Sequence, residues 1–238
     1  MVIKLQLDKL FILVGCFICI LAIIESPSIL LQHTITDSTS NQTVLIIDAG
    51  HGGDDGGAVG IDGTTESEIN LLIAQKVNLL AKLCGISTVM TRDSEEIDYP
   101  PEANSISKRK LADQNARLRL IRDYPHGILY SIHQNAYPNE SVSGIQVFYG
   151  HNVSSQKLGV LLQNQFNEAI TTQTRRVAAE ISEQIYLMKH CDCTAVLIEC
   201  GFLSNKNECK TLQDQAYQKK LSVVMLGAYW EYLNDKDQ

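Results

Sequence analysis

The sequence predicts an α/β fold: a three-layer sandwich with a largely parallel central sheet flanked by helices. Three observations carry the expectation. Short β-branched and aliphatic runs alternate with stretches of helical periodicity from residue 44 onward. Val44-Leu45-Ile46-Ile47 is apolar without alternation, as a strand covered on both faces must be. Histidine or glutamate follows several of these runs, where open α/β sheets gather their sites beyond the strand ends.

The elements follow in order. Val44 to Ile47 is a strand ending in Asp48-Ala49-Gly50. Ser67 to Cys84 is a helix, with Ile69, Leu72, Ile73, Val77 and Leu80 at helical spacing and Gly85 as its stop. Ile86 to Thr91 is a second strand, Pro100-Pro101 a loop, and Ser105 to Arg122 a helix. Gly127 to Ser131 is a third strand running into His133, and Gly144 to Tyr149 a fourth. Ser155 to Ala169 is helical. Val196 to Ile198 is a buried strand ending at Glu199, and Leu221 to Tyr232 the last helix.

Upstream, Lys4 and Lys9 precede an uncharged apolar run from Leu10 to Ile24. It has the length of a long signal-peptide core and is short for a membrane span. The expected organisation is a signal peptide or short membrane anchor over 1–26, a polar linker over 27–43 and one domain over 44–235. That places the domain outside the membrane, in the cell envelope, with residues 10–24 as the membrane association if the leader is retained. Leu13-Val14-Gly15-Cys16 has the form of a lipoprotein box, yet the apolar run continues well past Cys16.

With 27 acidic against 20 basic residues the net charge is −7, so no nucleic-acid partner is expected. Lys108-Arg109-Lys110 reads as a solvated helix face. Of seven cysteines, Cys16 and Cys19 fall in the leader, and the other five form no C-x-x-C pair, so no structural zinc site is indicated. Cys84 and Cys200 read as small buried hydrophobes. The spacing leaves disulfides and oligomeric state open.

Three residues could carry chemistry together. His51 stands among Gly50, Gly52 and Gly53, where the backbone can bend tightly and leave room for a ligand. Glu66 precedes a helix, which alone is explained by the helix dipole. His133 follows a buried strand, which alone is explained by a core hydrogen bond. Two histidines and a glutamate, however, form a catalytic zinc set with an open position, in which water becomes ionisable near neutral pH. Glu199 is the candidate base, since a strand-end carboxylate loses solvent and its pKa rises. A salt bridge at the sheet edge remains the other explanation. Asp48 and Asn135 are candidates for orienting ligands or substrate, or for capping strand ends.

IIDAGHGGDDGGAVG (46–60), ESEINL (66–71), SIHQNA (131–136) and IECGFLSN (198–205) together resemble, in order and spacing, the zinc-dependent N-acetylmuramoyl-L-alanine amidases. The resemblance covers roughly residues 44–235 and implies a fold like the phosphorylase/hydrolase and zinc-exopeptidase sandwiches. It implies one Zn2+ per domain held by His51, Glu66 and His133, with Glu199 catalytic. The implied substrate is peptidoglycan, cut at the amide joining the lactyl group of N-acetylmuramic acid to L-alanine. Two departures are Gly56-Gly57, where relatives often carry proline then glycine, and Cys200, where they often carry a small apolar residue. Leu187-Met188-Lys189-His190 ahead of the final motif resembles the germination-specific spore-cortex branch. That branch implies muramic-lactam formation in the forespore intermembrane space, with a separate muramic acid deacetylase acting downstream. His190 itself reads as a surface or packing residue. A vegetative wall amidase, a zinc peptidase acting on wall peptides and a non-catalytic wall-binding module are the alternatives. Modules of the last kind usually lose a ligand or the final glutamate, and all four residues are present here.

Overall fold

The computed structural model describes residues 43–170 and 174–236. The expected leader and almost all of the linker lie outside them. Among the described residues no helix is long and apolar enough to cross a membrane.

The predicted first strand is β1 (Leu45–Ala49), buried along its whole length. It is followed by α1 (Glu66–Leu83), β2 (Thr88–Met90), α2 (Ile106–Arg122), β3 (Ile128–Asn135), β4 (Gln146–Tyr149) and α3 (Val153–Ala169). Then come β5 (Ala179–Glu180), α4 (Tyr186–Lys189), β6 (Thr194–Phe202), α5 (Lys206–Leu212) and α6 (Gln215–Lys236). The six strands form one sheet in the order β2-β1-β3-β6-β4-β5. Only the β4–β6 pairing is antiparallel, so the largely parallel sheet is observed.

Alternation along the strands sends side chains to two different layers. Ile47, Tyr130, Val196 and their neighbours pack against α1, α3 and α6 in the larger core. Ile46, Leu129, Ala195 and Leu197 face the other way, against Leu118 and Ile121 of α2 and Leu187 and Met188 of α4. The Tyr130 hydroxyl donates to the Met225 carbonyl of α6 at 3.2 Å, which satisfies a phenol buried in that core.

Several boundaries differ from expectation. β3 and β6 run on through His133 and Glu199 instead of ending before them. Ladder pairing continues between the two central strands whatever the side chains' polarity, and their register shifts only past His133. α6 begins well before Leu221, because Asp214 caps it by accepting from Tyr217 N at 2.8 Å. α4 and α5 were not anticipated: the first is a single turn, and the second is started by the Asn205 side chain, which accepts from Asn207 N and Glu208 N. Cys200 is fully buried as expected, but Cys84 is exposed. Cys84 caps the C-terminus of α1 beside Gly85, whose positive φ turns the chain there.

Candidate metal centre and active site

The site forms where the α2-covered face of the sheet opens at the strand ends. His133 and Glu199 are register partners on adjacent parallel strands, so their side chains leave the same face side by side. Asp48 and Ser131 form the equivalent pair one step deeper, between β1 and β3.

His51 arrives from the loop after β1. Its φ of +60° is the left-handed region, uncommon for a residue with a Cβ. Two buried arginines hold the loop there by saturating three consecutive carbonyls. Arg92 donates to the Ala49 carbonyl at 2.9 Å, the Gly50 carbonyl at 3.1 Å and the Ser67 carbonyl at 2.8 Å. Arg117 donates to the carbonyls of Ala49 and His51 and to Asp48 Oδ1, the last at 2.7 Å. Gly50 has to be glycine: a Cβ there would lie 2.3 Å from the His133 imidazole.

Glu66 is the first residue of α1 and supplies an anion at the positive end of the helix. Its Oε2 accepts from Ala58 N at 2.9 Å and its Oε1 from Gln134 N at 3.1 Å. Oε1 also lies 2.8 Å from His133 Nδ1, and Oε2 lies 3.3 Å from His51 Nε2. Gly57, at φ +68°, passes so close that a Cβ would come within 2.5 Å of Oε2. Burial acts to raise the Glu66 pKa, but the two histidines outweigh it and hold the carboxyl well below its usual range. For His133 burial acts downward, and the hydrogen bond and charge of Glu66 raise its pKa.

Glu199 is different. Its Oε2 is buried with no hydrogen-bond partner. Burial, helped by the negative charge of Glu66, pushes its pKa up to about 7 against the opposing pull of His133 and His51. Among the described residues no salt bridge accounts for it, and its strand β6 lies inside the sheet between β3 and β4, so the sheet-edge explanation fails.

Ligand atoms of His51, Glu66 and His133 all lie within 4.8 Å of one another. Two imidazoles and one carboxylate are a donor set that suits zinc with a position left open, and Glu199, with its orphaned oxygen, lines the same cavity of about 330 Å³ as these three residues. The residues present therefore fit the ion. The cavity's other wall comes from α2, with Lys110, Gln114 and Arg117, and from Ile185 to Met188 around α4. Lys110 lies 2.8 Å from Asp55 Oδ2, and Asp55 lies 3.0 Å from His51 Nδ1. Arg109 pairs with Asp54 and lies over the Tyr99 ring. The basic stretch 108–110 thus braces the His51 loop as well as facing solvent.

All four expected site residues converge. Among the described residues Asp48 has no hydrogen bond to His51, Glu66 or His133; it accepts from Arg117, Ser131 and Thr91 and orients the loop through Arg117. Asn135 contributes its carbonyl, accepting from Leu203 N at 2.8 Å. His190 packs against the Tyr186 ring at a centroid distance of 4.6 Å. Arg92, Arg117 and Asn70 were missed. Only part of the signal was local: Arg117 shares a helical face with Leu118 and Ile121, which marks it as buried without showing what it reaches, and Asn70 lies one turn after Glu66, donating to its Oε1 and to the Gly50 carbonyl; nothing local marked Arg92.

Comparison with known proteins agrees with this geometry. Residues 45–228 match the family model described as N-acetylmuramoyl-L-alanine amidase. The chain is 33% identical over 194 residues to the germination-specific N-acetylmuramoyl-L-alanine amidase of Bacillus subtilis, covering 81% of each protein. Among solved structures it resembles the CwlD amidase of Clostridioides difficile, determined in complex with the GerS lipoprotein. The TM-score is 0.76 at 33% identity, over 82% of this chain and 99% of that one. An N-acetylmuramoyl-L-alanine amidase from Clostridium difficile 630 superposes with a TM-score of 0.71 at 27% identity, over 83% and 100%.

Proposed function

Because the chain belongs to the N-acetylmuramoyl-L-alanine amidase family and is an amidase of peptidoglycan, we propose that it acts on spore-cortex peptidoglycan, using one zinc ion held by His51, Glu66 and His133 and a proton carried by Glu199. The observation that carries the reading is that Glu199, whose Oε2 is buried without a hydrogen-bond partner, lines the same cavity as His51, Glu66 and His133.

When bound, zinc supplies Lewis acidity that polarises a carbonyl and makes water a better acid. The protein's own part is positioning and proton transfer. The backbone donors of Ala58 and Gln134 fix both Glu66 oxygens. Glu199, with a pKa near 7, can take a proton from attacking water and return it to the nitrogen of the leaving L-alanine. Ile185 to Met188, around α4, line the cavity together with Glu199.

The germination role rests on the 33% identity to the Bacillus subtilis enzyme across four-fifths of both chains. In that role the product, muramic acid freed of its peptide, passes to a deacetylase on the way to muramic lactam. The substrate lies outside the membrane, so residues 1–26 serve as the export signal or anchor.

The test is mass spectrometry of cortex and vegetative peptidoglycan digested by the full chain, with and without chelator. The expected result is chelator-sensitive release of peptides beginning with L-alanine, leaving bare muramic acid, and faster on cortex. Intact muramyl peptides would show a peptidase. Equal rates on the two substrates would favour a general wall amidase over a germination enzyme.

A further inference from the structure

Between α4 and β6 two cysteines meet sulfur to sulfur, with only Asp192 between them. Cys191 Sγ and Cys193 Sγ are 3.0 Å apart. Cys193 is 4% exposed within the core cluster that holds Leu187, Met188 and Leu197, while Cys191 is half-buried at its edge. Cys191 is therefore the more reachable of the two residues. The backbone is fixed on both sides: Asn152 Nδ2 donates to the Cys193 carbonyl at 3.0 Å, and His190 N donates to the Tyr186 carbonyl at 3.2 Å. A disulfide bond is about 2.05 Å long, so bonding asks for an approach of about 1 Å. The loop can supply that movement, since residues 190–193 belong to no helix or strand.

Two thiols this close could also bind a soft metal. The only cluster of three or more metal-capable side chains among the described residues is His51, Glu66 and His133, so the dithiol has no third ligand and redox chemistry is the better fit. The hydrogen bond from Cys193 holds the Cys191 pKa below the usual thiol range, whereas that bond and burial push Cys193 upward. Cys191, the more reachable residue, is thus also the better nucleophile.

We propose that Cys191 and Cys193 form a reversible dithiol–disulfide site directly after α4, the helix that lines the substrate cavity. The oxidant is a small-molecule disulfide. The Cys191 thiolate attacks one of its sulfurs, forming a mixed disulfide and expelling a thiolate, which takes up the proton that Cys191 released. The Cys193 sulfur then attacks Cys191, its proton leaving with the second thiol, so two electrons and two protons pass to the oxidant. Closure constrains the chain two residues beyond α4, whose Tyr186, Leu187 and Met188 line the cavity opposite Glu199.

The test is peptide mapping of the reduced full chain after exposure to oxidised glutathione and then alkylation in denaturant. Cys191 and Cys193 are expected to lose alkylation together, with loss of two hydrogen atoms from their shared peptide and recovery in dithiothreitol. The Cys193→Ser protein is expected to stop at a glutathione adduct on Cys191. Exposed Cys84 should form a simple adduct in both proteins and so reports that the oxidant acted. Full alkylation of Cys191 and Cys193 while Cys84 is modified would overturn the proposal, as would a stable adduct on Cys191 in the unsubstituted chain. Reduced and oxidised enzyme are also compared on peptidoglycan, with zinc content measured in each. A changed KM at equal zinc, abolished by Cys191→Ser, is expected; an identical KM would remove the link to the cavity.

Discussion

Replacing Arg117 by methionine probes how the His51 loop is held. Methionine keeps much of the stem and removes every donor. The wild-type guanidinium is 5% exposed, pairs with Asp48 at 2.7 Å and Asp113 at 2.9 Å, and donates to two loop carbonyls. Removing one partner of a buried ion pair costs about 3–5 kcal/mol, because the other charge stays buried. Asp48 gives an independent figure. Burial acts to raise its pKa, yet Arg117, with help from Ser131, His133 and Thr91, brings it from 3.8 down to about 2. At 1.36 kcal/mol per pH unit that is about 2–3 kcal/mol, and the lost carbonyl bonds bring the total toward the upper figure. The sign follows from the direction of the shift. A depressed carboxylate stabilises the fold above pH 3.8, and the contribution is lost as pH falls through about 2. In the variant burial is unopposed by Arg117, so the Asp48 pKa rises above 3.8 and the charged form becomes a burden at neutral pH. The deficit should therefore be largest at pH 7 and shrink toward pH 4. Urea unfolding of both metal-free proteins at the two pH values measures it. A deficit under about 1 kcal/mol, the size of an exposed pair, or one equal at both pH values, would refute the buried-pair account.

Glu199→Gln should lower kcat by about 10²–10⁴, the range for loss of a general base, with zinc content unchanged; a wild-type rate would remove Glu199 from the chemistry. In metal-free protein the same change should stabilise at pH 8, because a carboxyl raised from 4.5 to about 7 withdraws stability as pH rises through that interval, by roughly 3 kcal/mol when complete. Melting temperatures that differ equally at pH 4 and pH 8 would contradict this. His133→Ala should lose zinc by elemental analysis while remaining folded by circular dichroism, and full zinc retention would exclude it as a ligand. Gly50→Ala should cost about 1–3 kcal/mol by overpacking and lower zinc affinity, since its Cβ would displace the His133 ring. Unchanged affinity would show that the imidazole can shift without consequence.

The sheet and the clustering of His51, Glu66 and His133 were legible because each is written in local pattern. β1 reads as an unbroken apolar run, and the four chemical residues stand in short motifs with glycine or polar flanks. The ends of β3 and β6 were not legible, since ladder pairing carried both strands through polar side chains that a hydropathy pattern reads as a stop. The arginine scaffold was hidden for another reason. Arg92 and Arg117 lie 25 residues apart in sequence and act on carbonyls of a third segment, and no local spacing announces such a meeting. Cys84 was misjudged because an apolar-periodic helix does not reveal which residue of its last turn caps it in solvent.

Local preference fails at a few places here, and they cluster at the cavity. His51 adopts a left-handed conformation, Glu199 is buried without a partner, and β3 and β6 slip register just past His133. Each costs stability, and strained or unsatisfied groups persist only where surrounding structure over-determines them. The over-determination is visible. Two buried guanidiniums occupy the carbonyls of residues 49 to 51, Asn70 adds a second donor at Gly50, and two backbone amides fix Glu66. None of these anchors is itself one of the three metal-cluster side chains. The three are therefore brought within 4.8 Å by the protein's own backbone and buried charges. A site arranged in this way can lose the Glu199 carboxylate without losing its shape, whereas loss of an arginine anchor should disturb the geometry of the His51, Glu66 and His133 cluster and the fold together.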